Sequence, residues 1–155
     1  PGRDERNWTE RSNMPAWGII ESGPDEFTMY ISEHYRWDDN RLRRLTVRRH
    51  GFASVHAPYG GGEFVTRPLT FEGSRLLLNY STSAAGSVRV EVQDADGRPV
   101  EGCALSDMEP LYGDEIERAV AWRDGGDVSS LAGRPVRLRF ELKDADLFAL
   151  RAGDA

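Results

Sequence analysis

Cysteine is nearly absent. Cys103 stands alone, so the chain can form no internal disulfide and no multi-thiolate zinc site. It lies in the apolar stretch Gly102-Cys103-Ala104-Leu105 and reads as a buried structural thiol. Lysine is as scarce: Lys143 is the single one, which leaves lysine-nucleophile chemistry one poor candidate at a strand end. The three histidines, His34, His50 and His56, lack the i, i+4 spacing that sets two imidazoles around zinc on a helix. No apolar run approaches the ~20 residues a helix needs to cross a bilayer. Residues 1–11 are polar and charged, without the apolar centre of a signal peptide. An opening on Pro1 rather than Met reads as a processed or excised piece. Positive charge is also outweighed, 20 basic residues against 26 acidic, net −6. That balance disfavours partners recognised through phosphate, both nucleic acid and anionic membrane.

What is present is period-two alternation. Residues 16–21 read as a first strand, closed by the turn-forming Ser22-Gly23-Pro24-Asp25. Residues 27–32 place Phe27, Met29 and Ile31 on one face. Residues 42–49 make a third strand and 52–55 a short fourth, together one antiparallel meander. Five arginines fall within it: Arg41, Arg43, Arg44, Arg48 and Arg49. They could bind phosphate or carboxylate. With Leu42, Leu45 and Val47 interleaved, a solvated strand face is the better reading.

Ala57-Pro58-Tyr59-Gly60-Gly61-Gly62 marks the boundary, because its backbone is loose and it has little to bury. The expected domains are therefore 1–58, the meander, and 59–155, a sandwich. Within the second, strands are expected over 63–69 and over the nearly continuous apolar run 75–81. Val88, Val90 and Val92 alternate with Arg89, Glu91 and Gln93, followed by a turn at Asp94-Ala95-Asp96-Gly97 and a return at Pro99-Val100. Residues 116–122 suit a strand, while Asp114-Glu115-Ile116-Glu117 could open a short helix. Val136, Leu138, Phe140 and Leu142 form a last apolar face, with a turn at Asp144-Ala145-Asp146 and residues 147–150 pairing back. Strands at this spacing predict an all-β chain, an antiparallel, jelly-roll-like β-sandwich preceded by a short antiparallel meander sheet.

Longer phrases carry a likeness. They are Asn79 through Glu91, Gln93-Asp94-Ala95-Asp96-Gly97 and Gly133 through Phe140, with Met14 through Ile19, Tyr30 through Tyr35, Arg41-Leu42-Arg43-Arg44 and Gly51-Phe52 upstream. From about Trp8 to Leu150 the chain resembles the C-terminal region, last blade plus β-sandwich, of bacterial invertase-like five-bladed propeller proteins of glycosidase type. The resemblance implies that catalytic carboxylates belong to earlier blades, and that this region supports the propeller and in some members contacts sugar. The 155 residues cannot hold five blades and a sandwich, so the chemistry is expected upstream.

The richest polar and aromatic cluster runs from Glu33 and His34 through Tyr35, Arg36, Trp37, Asp38 and Asp39 to Asn40. Aromatic faces stack on sugar rings while carboxylates bond hydroxyls, so Glu33, His34, Tyr35, Trp37, Asp38 and Asp39 are the candidate carbohydrate-binding residues. Against this stands a plain hairpin loop with solvated charges and one packed tryptophan. No catalytic residue, resident metal or cofactor is assigned. The Asp94 and Asp144 stretches have a calcium-like look but lack the further ligands of a full loop. They read as turns, leaving room for one structural calcium. Ser81, Thr82 and Ser83 lack a nucleophile elbow, and residues 60–62 lack the Lys-Ser/Thr of a phosphate loop. Tyr59, Tyr112 and Trp122 are the loop or rim aromatics.

Three functions follow. The first is a non-catalytic accessory region of a glycoside hydrolase, with carbohydrate or the upstream propeller as partner. The second is a stand-alone hydrolase using Glu33, His34 and Asp38. The third is a structural module that self-associates through exposed sheet edges.

Overall fold

The computed structural model describes residues 4–7 and 14–154. Trp8, where the likeness begins, lies outside them, as does most of the polar opening segment. The chain is all-β and divides into two units, Pro1–Phe52 and Ala53–Ala155.

The first unit is a four-stranded antiparallel sheet. Its long strands are β3 (Glu26–Glu33) and β4 (Arg41–Arg48), paired from Glu26↔Arg48 to Glu33↔Arg41. The expected first strand forms as two fragments, β1 (Met14–Pro15) and β2 (Ile20–Glu21), both on the free edge of β3. Gly18 between them sits at φ 103°, a left-handed conformation that interrupts a ladder.

The second unit is a five-stranded antiparallel sheet: β5 (Val55–Ala57), β6 (Gly62–Val65), β7 (Arg75–Gln93), β8 (Asp114–Ala119) and β9 (Arg137–Gly153). Its spine is the pair β7–β9. β8 borders β7, while β5 and β6 border β9. Midway the ladder breaks, with Thr82↔Ala145 on one side and Ser87↔Lys143 on the other. Residues 83–86 thus face Asp144 alone, a large bulge that bends both strands together. Asp144 adopts φ 41°, and Gly86 packs directly on the carbonyls of Lys143 and Asp144.

The bend makes one sheet into two layers. Leu76, Leu78 and Tyr80 before it, and Val88, Val90 and Val92 after it, face a common interior with Leu138, Phe140 and Leu142. Phe140 stacks on Phe64 at 4.9 Å between ring centroids. Met108, Val128 and Leu131 join that interior from the connecting segments. Trp122 does too, its indole N–H donating to the Val90 carbonyl at 3.0 Å.

Several expectations are corrected. Residues 52–55 form no fourth meander strand; Val55–Ala57 pairs with Leu147, Asp146 and Ala145 in the second sheet. The division accordingly falls after Phe52, not after residue 58. Asp144-Ala145-Asp146 is no hairpin turn, because β9 runs through it and residues 147–150 pair with β7. Residues 75–81 and 88–93 belong to one bent strand. Asp114–Ala119 is strand rather than helix.

Candidate functional site

The strand β3 ends at Glu33, and the chain returns as β4 at Arg41. His34 and Arg36 take positive φ values of 54° and 68°. Two turn bonds, Trp37 N–H to the His34 carbonyl and Asn40 N–H to the Trp37 carbonyl, both 3.0 Å, tighten the connection. The Asn40 side chain closes it by donating to the Glu33 carbonyl at 3.1 Å. Glu33, His34 and Asp39 are thereby brought together.

Glu33 is 0% exposed. The antiparallel register sets Arg41 opposite it and Arg43 two residues on, on the same sheet face. Arg41 Nε donates to Glu33 Oε2 at 3.1 Å and Arg43 to Oε1 at 2.9 Å. Asn7 Nδ2 reaches the same Oε1 at 3.4 Å. Burial alone would raise this carboxyl's pKa. Hydrogen bonds from Arg43 and Arg41, with their charges, outweigh it and hold the group below its ordinary value.

His34 is buried as well. Its Nδ1 lies 2.8 Å from Asp39 Oδ2 and its Nε2 2.8 Å from Asp4 Oδ2. A ring with a carboxylate on each nitrogen is best satisfied as imidazolium, donating twice. The pKa is raised accordingly, first by the Asp4 bond, against the opposing effect of burial, and then by Asp39. Asp4 is lowered chiefly by that same bond. Asp39 is lowered on balance: burial raises it, while His34 and Arg6 pull it down further. Arg6 donates to Asp39 at 2.7 Å and lies 5.0 Å over the Trp37 ring.

The remaining candidates are peripheral. Tyr35 and Trp37 are partly exposed, with Arg36 and Arg6 respectively over their rings. Asp38 is exposed and forms no ion pair among the described residues. Each buried reactive group is thus neutralised by a fixed partner. Glu33 lacks the raised pKa of a general acid, and His34 has no unoccupied nitrogen to accept a proton. The arrangement ties residues 4–7 to the β3–β4 connection.

Sequence reading found Glu33, His34 and Asp39 but missed Asp4, Arg6 and Asn7, which join from a distance no local pattern reports. Arg41 and Arg43 could have been found, since equal strands around a hairpin imply that Glu33 meets them. Among the described residues no group of three or more His, Cys, Asp or Glu is placed to hold a metal ion. At the calcium-like Asp94 stretch, Oδ1 instead accepts the N–H groups of Asp96 and Arg98, both at 2.9 Å, as in a turn. Trp122 is buried, whereas Tyr59 and Tyr112 are exposed.

No protein-family model matches the chain, and the searches of curated proteins and of solved structures returned no match.

Proposed function

We propose that this chain is a non-catalytic accessory β-sandwich region of a carbohydrate-active protein, whose first sheet packs against a neighbouring sheet of that protein. One observation carries the docking part. Among the described residues of the first unit, Ile31 is the one buried hydrophobic residue, beside Asn7, Thr28, Glu33 and His34. Meanwhile Met14, Trp17, Ile19, Ile20 and Leu42 are exposed, Leu42 to 67%. An isolated small sheet without a buried apolar face is marginal, and layered folds supply that face from a second layer. Exposed apolar surface of this kind marks a contact region. The carbohydrate part comes from the resemblance of the sequence phrases and from the half-exposed Tyr35 and Trp37 beside carboxylates.

The reading predicts no turnover of aryl-glycosides by the purified chain and retardation by polysaccharide in affinity electrophoresis. Turnover that persists through purification and disappears in Glu33→Gln would establish the stand-alone hydrolase instead. The assembly reading draws on the same exposed apolar residues, and light scattering separates it, since self-association predicts at least a dimer.

A further inference from the structure

The turn that joins β5 to β6 lies against the bend of β9. Gly61 N–H closes it on the Pro58 carbonyl at 2.8 Å, and Asp144 N–H bonds the same carbonyl at 3.0 Å. Tyr59 occupies the exposed tip, 65% accessible. The residues that follow it line a shallow depression of about 420 Å³, floored by Gly60, Gly61 and Gly62 and bordered by Glu63, Glu141, Leu142 and Lys143.

Two features are not explained by folding. Gly61 needs its φ of 79°, but Gly60 and Gly62 have no left-handed backbone. A Cβ on Gly60 would meet nothing within 4 Å, and one on Gly62 would make only an ordinary 3.9 Å contact with Ala57. Neither conformation nor packing requires these glycines. What their missing side chains leave is an open floor beside an exposed aromatic ring.

The second feature is charge. Glu63 is engaged by Arg139 at 2.6 Å, and Glu141 by Arg89. Lys143, the chain's only lysine, has no carboxylate partner among the described residues. Its ammonium instead lies 4.6 Å from the centre of the Tyr59 ring. Apart from its histidines, the chain's other basic residues are arginines, and Arg139 and Arg89 are taken up by the bordering Glu63 and Glu141. An ammonium is a compact, rotatable point charge suited to a single anionic group. The net charge of −6 does not decide against an anionic ligand, because at physiological salt charges beyond about 8 Å are largely screened.

We propose that the depression bordered by Lys143 binds a pyranose bearing an anionic substituent, with the ring lying on the Gly60 to Gly62 floor and the anion on Lys143, whose ammonium Tyr59 holds beside it. The ligand class rests on the carbohydrate reading above, whereas the place and the charge preference come from these residues alone.

The test is affinity electrophoresis of the whole chain in gels containing polygalacturonate, a sulfated galactan or amylose. Retardation is expected in one or both anionic gels and not in amylose, the two arms separating carboxylate from sulfate ester. Lys143→Met should weaken the anionic interaction about tenfold, the scale of one charged hydrogen bond. Gly60→Leu should abolish it by filling the floor, without lowering the melting temperature because the space there is open. Equal retardation by amylose would overturn the anionic preference while leaving the carbohydrate reading standing. Anionic retardation that survives both substitutions would place the sugar elsewhere and overturn the site alone. No retardation in any gel would overturn both.

Discussion

Replacing Gly86 with alanine tests whether the bend of β7 against β9 builds the second unit. The added Cβ would lie 2.7 Å from the Lys143 carbonyl oxygen and closer still to that of Asp144. Both neighbours are backbone inside a paired strand, so neither can rotate away as a side chain would. Forced contacts in a packed interior cost about 1–3 kcal/mol, and two backbone oxygens on one methyl put this change near the upper end. For a unit of roughly 100 residues, each kcal/mol lowers the melting temperature by about 4 °C or more, so a drop on the order of 12 °C is expected. Gly60→Ala is the control. It adds the same methyl to open space, and restricting the unfolded chain should raise stability by about 0.4–1 kcal/mol. Thermal unfolding followed by far-UV circular dichroism reads both. Equal melting temperatures for Gly86→Ala and the parent would refute the bend as drawn.

Phe140→Ala removes a fully buried ring stacked on Phe64. It should cost about 3–5 kcal/mol in urea unfolding of the second unit, and a loss below 1 kcal/mol would contradict the packing described. The histidine bracket should titrate in a definite direction. Because the His34 pKa is raised above 6.5, its stabilising contribution is complete below pH 6.5 and fades as pH rises through the elevated value. Asp4 and Asp39, lowered from 3.8, contribute above pH 3.8 and lose that contribution as pH falls through their depressed values. The tether of residues 4–7 is therefore strongest between those limits. An NMR titration of the His34 ring protons should give a midpoint above 6.5; one at or below it would remove the bracket.

The apolar face of the second sheet was legible from its alternation, although Glu91 and Gln93 on the opposite face are buried too. Val88, Val90 and Val92, with Leu138, Phe140 and Leu142, alternate apolar and polar, and all six are buried as alternation demands. The bend was not legible. Asp144-Ala145-Asp146 has a turn's composition, yet the strand continues through it. A wide bulge and a hairpin need the same small and polar residues, and what distinguishes them is the partner, here residues 83–86. Val55–Ala57 was misassigned for a related reason. Three alternating residues suit any sheet with a free edge, and the edge that accepts them lies about ninety residues downstream. In the candidate site, Glu33, His34 and Asp39 were visible as one dense polar run, whereas Asp4 and Asn7 act across 26 to 30 residues.

The contrast between the units bears on function. The second is held by a large apolar interior, with Asn79, Glu91 and Gln93 buried as well, and its exposed turn at Tyr59 is tied to β9 through the Pro58 carbonyl. Among its described residues, the first has guanidinium–carboxylate and imidazolium–carboxylate contacts and one buried hydrophobic side chain, Ile31. Arg6 and Asp39 are both about half exposed in their pair, and exposed ion pairs contribute little and are screened by salt, while Arg41 and Arg43 serve to compensate a buried Glu33. Such a sheet gains most of its stability when another apolar layer covers it. A catalytic centre would run the opposite way, because a working acid or base must keep a proton site open while everything else is fixed. Among the described residues the charges of this site are paired with one another while Met14, Trp17, Ile20 and Leu42 are exposed, and the proposed docking of the first sheet rests on that contrast.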